Sequence, residues 1–147
     1  MTVEQGSSGG ARWEHFPHGA DLGIRGLGVT KADAFAGAAL ALTAVVVDPA
    51  SVTPGSSVTF ACEADNDELL LVDWLSDLVY QMSAAGHVFG RFEVELDGRR
   101  LHATAWGEPI DVARHDPAVE VKAITYHALK VAQEPSGPWI AQCVIDV

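Results

Sequence analysis

Positive charge is scarce in this 147-residue sequence: 9 Lys and Arg stand against 20 Asp and Glu, a formal net charge of -11. Tight nucleic-acid binding rests on cations that displace the counterions condensed on phosphates. So acidic a chain is expected to address cations, or a basic surface on a partner protein, and not RNA or DNA directly. Cysteine is nearly absent too. Cys62 and Cys143 lie far apart, neither sits in a C-x-x-C pair, and reduced, mostly buried thiols are the expectation. No apolar run approaches the roughly 18 residues that a membrane-spanning helix needs. Residues 1–10 are polar, rich in Gly and Ser, and lack a secretory apolar core, so a cytoplasmic location is expected.

Catalytic signatures are equally sparse. His15, His87, His102, His115 and His127 show neither H-x-x-x-H nor H-E-x-x-H spacing, which leaves a zinc site without support. Gly26-x-Gly28 lacks the third glycine of a dinucleotide loop, and no Walker lysine pattern follows. No serine occupies a G-x-S-x-G elbow and no cysteine has an evident partner base.

What is present is a well-patterned domain. Residues 1–10 read as a flexible tail and residues 11–147 as one folded unit of ordinary size. Short strands are expected at 13–16 and 22–25, joined by the tight loop Pro17-His18-Gly19-Ala20-Asp21. Thr30 with Asp33 has capping-box spacing and opens an alanine-rich helix that ends at Asp48-Pro49. A strand at 58–63 leads to a second helix, with Asp65 and Glu68 as its expected cap and apolar residues around most of its circumference, so it is expected to be sandwiched. Residues 92–96 and 101–105 alternate across Asp97-Gly98 as a hairpin. Residues 120–131 and 139–147 read as a last strand pair across Pro135-Ser136-Gly137-Pro138. The expected class is α+β, two main helices packed against antiparallel β-sheets.

Two acids draw attention. Asp146 ends an alternating strand, next to the main-chain oxygens of Val147, and clustered negative charge there favours a cation. Asp21 closes a His-x-x-Asp loop with His18, whose carboxylate and turn carbonyls are the oxygen ligands that hard cations want. Taken singly, each has a plainer reading: a solvated acid at a strand end, and an Asx turn.

Collinear motifs join them. Trp13-Glu14-His15-Phe16-Pro17-His18-Gly19-Ala20-Asp21-Leu22-Gly23-Ile24-Arg25-Gly26 resembles the opening strand and loop of the archease family. The likeness continues through Ala34-Phe35, Glu63-Ala64-Asp65, Leu69-Leu70 and Trp74-Leu75. It resumes at Glu120-Val121-Lys122-Ala123-Ile124-Thr125-Tyr126-His127 and closes on Trp139-Ile140-Ala141-Gln142-Cys143-Val144-Ile145-Asp146-Val147. Archeases are small α+β proteins that assist RtcB-type RNA ligases, which join ends carrying a 3′-phosphate in tRNA splicing or RNA repair. The resemblance implies an accessory protein, not an enzyme, that promotes guanylylation and repeated turnover of its ligase. It implies a divalent metal (calcium, magnesium or manganese) held by Asp21, Asp146 and the Val147 main chain. His18, Lys122, Thr125, Tyr126 and His127 would flank that site or contact the partner. Pro17 and Gly19 depart from the acid and threonine that many family members carry there. The rival readings are a stand-alone metal-dependent hydrolase of a small phosphorylated molecule, with His18 as its base, and a chaperone-like modulator of RNA-modifying enzymes.

Overall fold

The computed structural model of the chain describes residues 5–8 and 10–147. Its first hairpin follows from a single turn. β2 (Ala11–His18) and β3 (Asp21–Gly28) pair from Ala11↔Gly28 to His18↔Asp21, which leaves Gly19 and Ala20 as a two-residue turn. Gly19 has φ +60, the left-handed conformation that glycine adopts without steric cost. Pro17 falls inside β2, not in the loop, where its missing N–H costs no ladder bond among the described residues: the pairing on the far side of β2 is described as far as Glu14.

That outer strand is β1 (Gln5–Ser8), which pairs with β2 from Gln5↔Glu14 to Ser8↔Ala11. The expectation of a flexible tail therefore does not hold for these residues. The glycine that argued against order permits it: a Cβ on Gly6 would fall 2.5 Å from the Trp13 indole nitrogen, so bare backbone lies on the ring. The rest of that expected tail, apart from Gly10, lies outside the described residues.

Helix α1 (Lys31–Val46) starts where Thr30 accepts the Asp33 amide, as its capping spacing predicts. It is buried on nearly every side, and its alanines let it approach the sheet closely. At Gly26 a Cβ would stand 2.0 Å from the Ala34 carbonyl oxygen, so helix and strand meet backbone to backbone. The Gly26-x-Gly28 pattern is thus a packing contact. Beyond a short 3-10 turn (Pro49–Ser51) come β4 (Ser56–Glu63), helix α2 (Asp67–Ser83), and the hairpin β5 (His87–Asp97) and β6 (Arg100–Pro109). The α2 cap is Asn66, which accepts the Leu69 amide, in place of the expected Asp65. The burial assignment also shifts. α1 is the enclosed helix, while α2 keeps an exposed stripe through Leu69, Asp73, Asp77 and Tyr80. The hairpin turn is Gly98-Arg99, because Asp97 pairs with Arg100.

The C-terminal part holds the short helix α3 (Val112–His115), then β7 (Ala123–Ile124), β8 (Lys130–Gln133) and β9 (Trp139–Asp146). The large sheet runs β1-β2-β3-β9-β7, with β8 also on β9; the small one runs β4-β6-β5. The α+β expectation is met, with α1 enclosed and α2 packed by its inner face. The Trp74 indole of α2 donates to the Phe35 carbonyl of α1 at 3.1 Å and meets Phe60 and Phe92 of the small sheet edge-on.

Candidate functional site

One end of the large sheet gathers the two acids. Across the first turn His18 faces Asp21. Leu22 faces Ile145, so the next step of that register sets Asp21 across from Asp146, and Asp146 in turn faces Ala123. Directly opposed residues of antiparallel strands share a face, with Cβ atoms about 5 Å apart. His18, Asp21 and Asp146 therefore form one row over three strands. The row lies on the face away from α1, because Ile24, three residues beyond Asp21, points into the core. All three side chains are exposed. Among the described residues no Lys or Arg forms an ion pair with either aspartate. Two like charges opposed in this way repel.

The segment 120–131 is split into β7 and β8 where a single strand is expected, and the split shapes the rim of this row. The Lys122 amide donates to the Asp146 carbonyl at 2.8 Å, which seats β7 at the end of β9. Thr125 then donates to the Val144 carbonyl through both its amide, at 3.1 Å, and its hydroxyl, at 2.7 Å. The Val144 amide answers to the His127 carbonyl at 3.0 Å, so Tyr126 has no partner in the ladder and is thrown outward. Tyr126 is 68% exposed. The His127 amide closes on the Thr125 hydroxyl at 3.1 Å, and its ring stands 6.3 Å from that of His18. Ala128, at φ +53, takes the left-handed turn that returns the chain to β8. The structure thus brings His18, Asp21, Asp146, Thr125 and His127 to one corner. Lys122 contributes its backbone there, its side chain exposed, and Val147 follows Asp146 half exposed.

Beneath this corner lies a network that the sequence reading missed. Arg25 lies over the Phe16 ring at 4.4 Å, donates from Nε to Gln142 at 2.8 Å and pairs with Glu14. Gln142 passes the restraint on, donating to the Ala128 carbonyl at 3.1 Å. The Phe16 ring itself rests on Gly23, where a Cβ would fall 2.3 Å away. These residues lock β2, β3 and β9 together and fix the loop that carries Tyr126 and His127. Glu14 and Arg25 were findable as an opposed pair once the turn is set at Gly19-Ala20; Gln142 needed the register of a distant strand.

The donor set suits a hard cation: two carboxylates, main-chain oxygens and room for water. Among the described residues no three His, Cys, Asp or Glu side chains converge into a cage, so main chain and solvent would supply the remaining ligands. Elsewhere, Glu108 of β6 is fully engaged. It takes Arg114, the Thr53 amide at 2.6 Å and His115 Nε2 at 3.0 Å, and the Arg114 hydrogen bond above all holds its carboxyl down at about 2. The His115 Nδ1 accepts the Asp111 amide, so the proton of its neutral ring sits on Nε2 and points at Glu108. Cys62 and Cys143 are free thiols. Burial pushes Cys143 up to about 12, and burial with Asp77 and Asp73 pushes Cys62 up to about 11.

Residues 13–147 match the Archease protein family (MTH1598/TM1083). The chain is 41% identical over 140 residues to protein archease of Pyrococcus furiosus, a stretch covering 92% of this chain and 99% of that one. It is 34% identical over 146 residues to protein archease of Methanosarcina barkeri, covering 96% and 99%. Its backbone is similar to the solution structure of Methanobacterium thermoautotrophicum protein 1598, with a TM-score of 0.78 at 28% identity over 92% of this chain and 98% of that one. Sequence and backbone agree from the first hairpin to the last strand, and the chain belongs to the Archease family.

Proposed function

We propose that this protein is a metal-binding activator of an RtcB-type 3′-phosphate RNA ligase, promoting guanylylation of the ligase and its repeated turnover. The observation that carries the reading is the row of His18, Asp21 and Asp146 on an exposed sheet end, with the two aspartates opposed and neither in an ion pair among the described residues. A calcium, magnesium or manganese ion there would supply positive charge between the carboxylates. Asp21, Asp146 and the Val147 main chain hold it, while this chain's own residues shape the contact. Tyr126 and His127 project beside the row from a braced bulge, and Lys122 adds a cation at its margin. Such a surface offers recognition without a nucleophile, which favours an activator over a catalyst. The acidic balance of the chain favours a basic, RNA-handling enzyme as its partner over RNA itself, and cytoplasmic action goes with that role.

The test is transfer of radiolabelled GMP to a cognate ligase, with and without this protein and with chelator present. Stimulation that disappears in Asp21→Ala and Asp146→Ala supports the reading; stimulation unchanged in both sinks the metal site. Hydrolysis of small phosphate esters by the protein alone would transfer the assignment to the hydrolase class.

A further inference from the structure

The geometry points to a second interface: the free edge of β5, with the groove beside it, is a docking site for an extended lysine- or arginine-rich segment of another protein, added as a strand to the small sheet. This goes beyond the activator reading and does not depend on it. β5 is 11 residues long and stands at the end of the order β4-β6-β5, with a strand neighbour on one side only among the described residues. An edge strand offers unpaired N–H and C=O groups to any chain that can lie along it. Here the edge borders a groove of about 450 Å³ between β5, the start of β2 and the first turns of α1. Its apolar lining is Ala11, Ala36, Phe92 and Val94, the last two only partly covered.

The rim gives the charge of the guest. Asp33, Glu93 and Glu95 border the groove, and Arg91 is the cation among them. Arg91 is already engaged, over the Trp106 ring at 4.5 Å and with Glu93 at 2.8 Å. No described ion pair involves Asp33 or Glu95. Along β5, Phe92 and Val94 face inward while Glu93 and Glu95 face outward, as a period of two requires. A guest strand of the same period would lay alternate apolar side chains toward the groove and cations beside the two glutamates. Strand addition works in this way, with backbone bonds for affinity and alternate side chains for specificity. A second copy of this chain fits badly, since pairing two β5 edges brings glutamates together on one face. Nucleic acid meets the same acids.

The site is also separate. Ala11, at the groove, and His18, in the acidic row, occupy opposite ends of β2, a strand of 8 residues. At ~3.3 Å per residue they stand roughly 23 Å apart, so both surfaces can be engaged at once.

A dye-labelled peptide alternating lysine and valine, followed by fluorescence anisotropy against the intact protein, tests the proposal, with a glutamate–valine peptide as control. The lysine peptide is expected to bind, to weaken as salt rises, and to slow amide exchange along β5; the control is expected not to bind. Glu93→Lys/Glu95→Lys is expected to weaken binding at least roughly tenfold, and Glu93→Gln/Glu95→Gln by less, with thermal melts showing both variants folded. Equal binding by the reversed variant, exchange protection confined to another strand, or displacement of the peptide by self-association of the protein overturns it.

Discussion

Two corners of this molecule treat carboxylates in opposite ways. At the end of β6, Glu108 is surrounded by donors: Arg114, His115 and the Thr53 amide. At the end of β9, Asp146 faces Asp21, and no cation among the described residues pairs with either. The first arrangement consumes the charge internally and ties β6 to α3 and to the segment before β4. The second leaves charge on offer. A satisfied acid is a fastener, whereas an exposed pair of like charges on a braced edge costs the fold a little and leaves water and salt to screen it.

Substitution is the strongest way to break the contrast. Asp21→Ala is expected to abolish stimulation of ligase guanylylation in the GMP-transfer assay while leaving the melting temperature within experimental scatter. Glu108→Gln reverses that pattern: stimulation persists, and the melting temperature falls because Arg114 and His115 lose their partner. The same residue gives a pH signature. Its carboxyl is held at about 2 against an ordinary 4.5, so its contribution is complete above about pH 4.5 and fades as pH drops toward 2. Stability against urea, measured from pH 6 down to 2, is expected to fall more steeply in the wild type than in Glu108→Gln. A smaller effect sharpens the other corner: in chelator, Asp146→Asn is expected to raise stability by at most about 1 kcal/mol, since it ends the repulsion with Asp21. Least visible is the behaviour of Cys143, three residues from Asp146 on the inner face of β9. With its thiol near 12 and fully buried, alkylation by iodoacetamide at neutral pH is expected only upon unfolding, in Asp21→Ala as in wild type.

Much of this was legible in the sequence wherever the cause is local. The Thr30 cap and the alternation of β5 and β6 rest on neighbours a few residues apart, and the structure bears them out. The failures share a different origin. β1 was hidden because Gly6 is ordered by the Trp13 ring and not by any preference of its own. Helix α1 is enclosed because it packs on β2, β3 and β9 on one side and on β5 on another, and apolar count alone misassigned that role to α2. The break at residues 125–129 comes from Val144, whose amide and carbonyl select two different partners. At the candidate site, single residues pointed to Asp21 and Asp146 separately; the family motifs imply that the two belong together, and the β3–β9 register sets them opposite each other. The Arg25–Gln142 bracing underneath depends on that same register.

The central place of β9 has a kinetic consequence. The strand last in the sequence slots between β3, near the other end of the chain, and β7 and β8. Closing so long a loop is entropically costly, and topologies rich in such contacts fold slowly. Until β9 docks, β3 carries Asp21 on an open edge with no opposing carboxylate. The aspartate pair therefore exists only in molecules in which β9 has paired with β3.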